Sequence, residues 1–196
     1  MKRPNPVDPV IAPLEAVDAV GANRATTADA LVVAAWADYH NEIFAFLVRT
    51  TRDTEVAEDL LQEAYLRLTR EVRANRTPDN VRAWLYRVGA NLAVSRGRRI
   101  TSAFHGIAKI VSSPGFDRTE DAPEVSYISR EGRADLVEAL AELRPEARAA
   151  LLMSSEGFSG QEIAAAVGRS DSATRTMLSR ARVQVRNRLM ASEASR

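Results

Sequence analysis

The sequence predicts an all-α protein of two small helical domains joined by a flexible linker, with a helix-turn-helix ending the second domain. Apolar residues recur every three or four positions through most of the chain, and no stretch alternates like a half-buried strand. A stretch with two glycines and two prolines over 100–129 interrupts this pattern and predicts the linker. A tight turn between two helical patterns in 157–190 predicts the helix-turn-helix.

The charges of the chain are nearly balanced but unevenly distributed. Its 196 residues include 27 Lys and Arg and 26 Asp and Glu, which gives a net charge of +1. No acid occurs between Asp79 and Asp117, although six basic residues fall there, whereas acids cluster over 53–63. Because charges act within a Debye length, these separate blocks predict separate binding surfaces.

The composition excludes several classes of function. The chain has no cysteine, which excludes a disulfide scaffold, a cysteine-ligated zinc and a thiol redox sensor within it. The two histidines, His40 and His105, are too far apart in sequence to indicate a metal site, and no cofactor is expected. No serine–histidine–aspartate set or glycine-rich phosphate loop indicates an enzyme. With no apolar run of about 20 residues and no secretory signal, we expect a cytoplasmic protein without membrane insertion.

The first domain is predicted to span 29–99, after a disordered leader over 1–28. The leader holds four prolines among small residues, with at most a short helical turn near Leu14–Val20. Helical spacing predicts the first helix over Asp29–Thr50. Its apolar face comprises Leu31, Val32, Ala35, Trp36, Tyr39, Ile43, Phe46 and Leu47.

Asp53–Val72 is predicted as a second helix with an acidic face. Asp53 or Thr54 is expected to cap it. Its apolar stripe comprises Val56, Leu60, Leu61, Ala64, Tyr65 and Leu68. The opposite face carries Glu55, Asp59, Gln62 and Glu63. Such a face is either simply solvated or a docking surface for a basic partner, and the residues alone leave both open.

The third helix, predicted over Asn80–Arg99, follows a polar loop over 73–80 and has a basic face. Its expected core residues are Val81, Trp84, Leu85, Val88 and Leu92. The other face repeats basic and polar residues every third or fourth position: Arg87, Asn91, Ser95 and Arg98. Arginine suits phosphates and asparagine suits base edges, so this face fits DNA as well as it fits solvent.

The second domain is predicted over 130–196. It begins with a helix over Arg130–Leu143 and a second helix that starts at Pro145, a good first-turn residue. Gly157 is expected to end that second helix.

The predicted helix-turn-helix follows directly. Its first helix carries Ile163, Ala164 and Val167 inward, and Gly168 permits a positive φ in the turn. Its second helix turns a row of arginines outward: Arg175, Arg180, Arg182, Arg186 and Arg188. The pattern is typical of a helix that lies in the DNA major groove, and an ordinary helical hairpin is the alternative.

Five stretches resemble one protein family, in order and with matching spacing. They are Asp59–Tyr65 (DLLQEAY), Arg82–Ala93 (RAWLYRVGANLA), Leu143–Leu152 (LRPEARAALL), Phe158–Ala164 (FSGQEIA) and Ser179–Arg182 (SRAR). These are similar to the DLLQEAF, FRAWLYRIARNLA, LPEEAREALLL, LSYEEIA and SRARxxLR segments of bacterial RNA polymerase sigma factors. From Ala30 to Met190, the chain resembles the short extracytoplasmic-function (ECF) group of the sigma-70 class.

The resemblance implies three binding surfaces. The surface for core polymerase comprises Asp59, Leu60, Gln62, Glu63 and Arg67. The surface for the melted −10 promoter element comprises Arg87, Asn91, Ser95, Arg98 and Arg99, next to the 73–80 loop. There, arginines would contact the backbone phosphates of a single DNA strand whose bases are unstacked and bound by the protein. Asn91 matches the Asn of the family's RNLA motif. The surface for the duplex −35 element comprises Ser172, Arg175, Thr176, Ser179, Arg180 and Arg182.

The resemblance also implies partners and an activity. The protein would bind core RNA polymerase through the β′ clamp helices and the β flap. It would recognise promoter DNA and help to melt it, while the polymerase does the chemistry. An anti-sigma factor would hold it inactive by covering the polymerase-binding surface.

The turn into the recognition helix departs from the family pattern. Where the family reads PVGTVKSR, this chain reads SDSATRTM over Ser170–Met177. Ser172 replaces the glycine, Thr174 the core valine and Met177 the exposed arginine. Asp171 adds a negative charge that can cap the helix but would repel phosphate if it faced DNA. Promoter preference therefore does not follow from the resemblance.

Two alternative functions remain open at this point. A sigma-like module could titrate an anti-sigma factor without itself initiating transcription. The altered Ser170–Met177 turn favours it, and the retained arginines oppose it. A helix-turn-helix regulator could act on duplex DNA alone, which the paired first domain with its acidic helix argues against.

Overall fold

The computed structural model describes the backbone over 14–104 and 130–194, and the side chains over 27–99 and 132–194. These ranges contain seven helices and no strand, which confirms the predicted all-α class. The helices are α1 Leu14–Thr51, α2 Thr54–Arg73, α3 Val81–Phe104, α4 Arg130–Ala141, α5 Pro145–Ser155, α6 Gly160–Val167 and α7 Asp171–Ala194. The flexible linker predicted over 100–129 lies, from 105 onward, outside the described residues.

The first helix is longer than predicted. It begins at Leu14, directly after Pro13, rather than at Asp29. Residues 14–28 of the predicted disordered leader are therefore helical. This stretch is rich in alanine and has no proline after Pro13, so its intrinsic propensity lets the helix extend toward the N-terminus.

Part of α1 is long and apolar enough, by length and composition alone, to cross a membrane. This part is Thr27–Thr51. Its Ile43, Phe46 and Leu47 are fully buried in the core that α1 forms with α2 and α3. These residues account for part of that apolar character, but only 28% of the most apolar window is buried, and Val33 and Trp36 on it are 68% and 42% exposed.

Local contacts fix how α1, α2 and α3 pack together. Asp53 caps α2, as predicted, because its Oδ1 accepts from the Val56 amide at 3.0 Å. The buried Tyr65 hydroxyl donates to the Ala35 carbonyl of α1 at 3.0 Å, and burial raises the pKa of Tyr65 to about 12. Gly89 lets α3 approach α1 closely, since a Cβ there would lie 3.3 Å from the Leu47 side chain.

The buried face of α3 is wider than predicted. Leu85 is buried as expected, but Tyr86, Ala90 and Val94 are buried as well. The other expected core residues are only partly buried: Val81, Trp84, Val88 and Leu92. The reason is that α3 packs on α5 and α6 as well as on α1 and α2, so it has two buried sides.

The turns of the helix-turn-helix follow the sequence closely. Ser159 and Glu162 form a reciprocal capping box at the start of α6, which lowers the pKa of Glu162. Gly168 ends α6 with φ of 67°, as predicted. Ser170, rather than Asp171, caps α7, since its Oγ accepts from the Ala173 amide at 3.3 Å.

The two domains share one hydrophobic core. The Tyr86 ring of α3 lies 4.8 Å, between ring centroids, from Phe46 of α1 and also 4.8 Å from Phe158 of the second domain. Phe158 directly precedes the helix-turn-helix. The recognition helix α7 is therefore held at a fixed position relative to α3.

Candidate polymerase and nucleic-acid interfaces

The outer side of α2 presents an acidic surface with one exposed leucine. Asp59 and Gln62 are exposed, and the Glu63 carboxylate accepts from Arg67 Nε at 2.7 Å, a hydrogen bond that lowers the pKa of Glu63. Leu66 is 53% exposed and follows Gln62 by four positions, so it shares this side. We call Asp59, Gln62, Glu63 and Leu66 the α2 acidic face.

One predicted member of the polymerase-binding surface lies in the core. Leu60 is only 8% exposed and belongs to the core of the first domain. Its position in the apolar stripe already predicted burial, and a buried side chain does not reach a partner. Leu66 was not among the predicted residues, because an isolated leucine on a polar helix face gives no sequence signal.

The polar side of α3 borders a groove large enough for a nucleotide. Arg87 and Asn91 are exposed, and the Ser95 hydroxyl donates to Asn91 Oδ1 at 3.3 Å. The groove has a volume of about 570 Å³ and is lined by Arg67, Arg70, Glu71, Trp84, Arg87, Val88, Asn91 and Ala165. Trp84 is therefore a groove wall as well as a core contact. An aromatic ring among guanidinium groups and an amide suits an unstacked base and its phosphates.

Arg98 does not lie free beside Asn91. Its Nε donates to the Glu146 carboxylate at 3.0 Å and its Nη2 to the Val167 carbonyl at 3.2 Å. Both acceptors belong to the second domain. Arg99, the last predicted member of the −10 surface, is exposed.

The recognition helix exposes all six residues predicted for the −35 surface. Ser172, Arg175, Thr176, Ser179, Arg180 and Arg182 are all exposed. Arg175 donates to the Asp171 carboxylate at 2.8 Å, and Arg182 donates to Ser154 Oγ at 2.9 Å. Arg188 instead joins α7 to α4 through Glu138 and Glu142, at 2.9 and 2.8 Å. The row of outward-facing arginines therefore ends before Arg188.

The residues that depart from the family pattern are accommodated by packing. Thr174 is fully buried, and its hydroxyl donates to the Ser170 carbonyl at 2.9 Å. It therefore fills the valine position without an unsatisfied polar group. Met177 is half-buried and packs on the core, so α7 lacks the exposed arginine that the family has there.

A shallow apolar pocket lies between α5 and the C-terminal half of α7, and it borders the predicted −35 surface at Arg182. It has a volume of about 310 Å³ and is lined by Leu151, Arg182, Val185, Arg186, Leu189, Met190 and Glu193. Met190 is 60% exposed. Val185 is buried in the small core of the second domain, and Leu189 packs against that core.

Comparison with known proteins places the chain in one family. The family model described as Sigma-70 region 2 matches residues 35–102, and the model described as Sigma-70, region 4 matches residues 133–185. Two helical domains matched region by region define a class of non-enzymatic transcription initiation factors. The chain belongs to the sigma-70 family, in its ECF group.

Three relatives show the extent of the similarity. The chain is 33% identical to the probable RNA polymerase sigma factor RfaY of Xanthomonas campestris, over 76% of this chain and 38% of that protein. It is 32% identical to the ECF RNA polymerase sigma factor SigE of Mycolicibacterium smegmatis, over 83% of this chain and 65% of that protein. It is 28% identical to the RNA polymerase sigma factor YlaC of Bacillus subtilis, over 77% and 87%. The chain thus spans less than two thirds of the first two relatives.

The fold is also similar to that of a solved structure. This is the sigma factor RpoE, co-crystallised with the anti-sigma factor NepR from Bartonella quintana. The TM-score is 0.56 at 22% identity, and the match covers 76% of this chain and 91% of that chain. At this identity the likeness concerns the fold alone.

Proposed function

We propose that the protein is a sigma factor that binds core RNA polymerase, recognises a promoter and helps to open it, without catalytic activity of its own. The observation that carries the proposal is that one chain presents surfaces of opposite charge. The first domain carries the α2 acidic face and the arginines of α3. The second domain carries a helix-turn-helix with a row of arginines. The first face suits a basic protein surface, and the other two suit nucleic acid.

Each domain has a separate role in this proposal. The region over 29–99 binds core polymerase and the −10 element, and the region over 130–196 binds the −35 element. Asp59, Gln62, Glu63 and Arg67 meet the β′ clamp helices, and Leu66 adds an apolar contact. A cytoplasmic location follows, because core polymerase and promoter DNA are there.

The −10 element is bound as a single strand and the −35 element as duplex. Arg87, Asn91, Ser95, Arg98 and Arg99 hold the strand beside the groove that Trp84 lines. Ser172, Arg175, Thr176, Ser179, Arg180 and Arg182 meet the major groove or its phosphates. Base-edge contacts from side chains at the start of a recognition helix supply sequence selection, and phosphate contacts supply position.

Two further partners belong to the proposal. The apolar pocket around Met190 would receive the β flap, because an apolar pocket with a charged rim suits a protein partner. An anti-sigma factor would inhibit the protein by covering the α2 acidic face. The solved RpoE–NepR complex is of a sigma factor with its anti-sigma factor, which supports this class of partner.

Reconstituted transcription tests the proposed function. Purified protein is mixed with core polymerase, and the transcripts from genomic DNA of the source organism are sequenced with and without it. The expected result is a stable complex with core and a new set of start sites that share two upstream motifs. If no complex forms, the sigma-factor proposal fails.

The altered turn over Ser170–Met177 favours a second candidate, a module that titrates an anti-sigma factor. Such a module would bind an anti-sigma factor yet produce no new start sites with core polymerase. The exposed Arg175 and Arg180 count against it, since titration needs no duplex contact. The same transcription experiment separates the two candidates.

A further inference from the structure

The start of the recognition helix carries a carboxylate that is held from two sides. Asp171 is the first residue of α7, and its Oδ2 accepts from Arg175 Nη2 at 2.8 Å, one turn further along the helix. Its other oxygen, Oδ1, lies against the first turn of α6, where a Cβ on Gly160 would be only 3.2 Å away. Both helices of the helix-turn-helix therefore position the Asp171 carboxylate.

Two departures from the family pattern meet at this contact. The family segment LSYEEIA has a tyrosine where this chain has Gly160, and the segment PVGTVKSR has a valine where this chain has Asp171. A side chain at position 160 would crowd the carboxylate, so the glycine and the acid fit together. The two residues thus form one local feature of this chain rather than two unrelated substitutions.

The carboxylate lies on the side of α7 that is proposed to face DNA. Residues four apart on a helix share a face, and Arg175, a proposed −35 residue, has a side chain that is 72% exposed. The Asp171 side chain is 44% exposed, so its oxygens can accept from a further donor besides Arg175. Side chains at the start of a recognition helix reach base edges in the major groove, and Asp171 is in that position.

The major groove offers few groups that a carboxylate can bind. Phosphates repel it, and guanine presents only acceptors there. Thymine presents an acceptor and a methyl group, and adenine places its N7 acceptor beside its amino group. Cytosine presents an amino group with no acceptor of its own beside it. It is therefore the base that suits a side chain with acceptors and no donor.

We propose that Asp171 is a specificity-determining residue, which selects a cytosine in the −35 duplex by accepting from its N4 amino group. The proposal rests on the proposed function, because that function assigns α7 to the −35 duplex. Arg175 is a positioning residue here: one of its donors holds Asp171, and its other donors can meet a neighbouring phosphate. Asp171 also disfavours any duplex without that cytosine, since its charge then faces DNA without a base donor.

Selection of promoter DNA by the holoenzyme tests this proposal. A promoter from the transcription experiment is prepared as a pool in which the −35 element is randomised. Core polymerase is loaded with the natural chain, with Asp171→Asn or with Asp171→Ala, and the bound fragments are sequenced, with core polymerase alone as background. Glu142→Gln is the matched control, because it makes the same change in net charge and also removes a carboxylate that pairs with an arginine of α7, Arg188.

The expected result for the natural chain is an enrichment of cytosine at one −35 position by about fivefold or more, the order of a specific base contact. Asp171→Asn is expected to shift the preference at that position to adenine, because an amide donates and accepts and so matches N6 and N7. Asp171→Ala is expected to have no preference there and to bind the other sequences more tightly. The control is expected to keep the preference for cytosine.

Other outcomes separate failure of this proposal from failure of the proposed function. If the natural chain and both Asp171 variants enrich the same bases, Asp171 acts only on the helix dipole, and the proposal is overturned while the −35 role stands. The same conclusion follows if Glu142→Gln loses the cytosine as well, since net charge would then explain the loss. If the holoenzyme forms but enriches no base in the −35 element, the −35 role fails too, and if no holoenzyme forms, the sigma-factor proposal fails.

Gly160→Ala tests the contact with α6 in the same selection. The added Cβ would displace the Asp171 carboxylate, so the enrichment of cytosine is expected to fall by about twofold or more, a small part of a specific base contact. Stability in urea is expected to be kept or raised, because alanine suits a helix better than glycine. An unchanged enrichment would overturn the positioning of Asp171 by α6.

Discussion

Arg148 of α5 is buried, and its guanidinium donates to the carbonyls of Thr50, Leu140, Ala141 and Leu143. A single substitution there removes all of these contacts. We expect Arg148→Ala to lower the free energy of unfolding by about 3 kcal/mol or more, since it leaves buried carbonyls without donors. Arg148→Lys is expected to recover little, because an ammonium does not form the planar fork that reaches several acceptors. Urea unfolding measures both.

Arg144→Ala is the matched control for that change. Arg144 is exposed and directly precedes α5, and its side chain makes no cap hydrogen bond. A loss for Arg148→Ala within about 0.5 kcal/mol of the control, the usual range for surface changes, would contradict the role of Arg148 as the tie between helix ends.

Single arginines on α7 carry the prediction for duplex binding. We expect Arg175→Ala and Arg180→Ala each to weaken duplex affinity and to reduce the slope of log K against log salt by about 1, the value for one phosphate contact. Fluorescence anisotropy over a salt series gives both quantities. A base-edge contact at Arg175 would instead lower affinity for the preferred sequence with little change in slope.

Arg188→Ala is the control on the same helix. It pairs with α4 rather than facing outward, so its loss is expected to reduce stability without a change in the salt slope. A slope change at Arg188 with none at Arg175 or Arg180 would move the DNA contact to the C-terminal half of α7.

At the scale of an element, the outer face of α2 determines polymerase affinity in the proposed function. We expect Asp59→Lys with Glu63→Lys to weaken binding to core polymerase by about tenfold or more, because two favourable charge contacts become repulsive. Leu66→Ala is expected to weaken it as well, through lost apolar contact. Both changes leave the core intact, which the circular dichroism spectrum checks.

Leu60→Ala separates a docking role from a packing role on the same helix. Leu60 is buried, so truncation is expected to cost about 2–5 kcal/mol of stability with no specific effect on polymerase affinity once the protein is folded. Unchanged core affinity in the Asp59 and Glu63 double variant would show that α2 is not the docking face.

The elements themselves were largely predictable from sequence, because each is fixed by local spacing and local caps. Asp53 before α2 and Gly168 after α6 are in the predicted roles, and Ile163 is buried in the predicted first helix of the helix-turn-helix. The start of α1 was not predicted, because an alanine-rich sequence without periodic apolar residues does not distinguish a helix from a disordered segment.

Site residues were predictable only where their position on a single helix decides whether they are exposed. Arg175 and Asn91 are exposed on the expected faces. Arg98 and Arg82 were not predicted as contacts between domains, because their partners Glu146 and Glu156 are 48 and 74 positions away. No pattern along a single helix carries that information.

At the scale of the whole molecule, docking of the domains depends on ionised carboxylates. Burial alone would raise the pKa of Glu146, but a hydrogen bond from its own backbone amide and the guanidinium of Arg98 outweigh it, so its pKa is lowered. Burial acts on Glu42 in the same way and is outweighed by Arg82 and Tyr86, with Arg49 nearby. Both carboxylates therefore favour the folded protein when they are ionised, and Glu146, which pairs with Arg98 across the domains, also favours docking.

The sign of the pH dependence follows from these lowered values. At acid pH the unfolded chain binds protons that the folded protein excludes, so stability is complete above about pH 5 and falls as the pH drops through the folded values. We expect the free energy of unfolding to fall between pH 7 and pH 3.5. In Glu146→Gln this fall is expected to be smaller by only about 0.5–1 kcal/mol, since the pair with Arg98 is partly screened. Urea unfolding at the two pH values measures this. An equal drop in both proteins would mean that the Arg98–Glu146 pair does not hold the domains together.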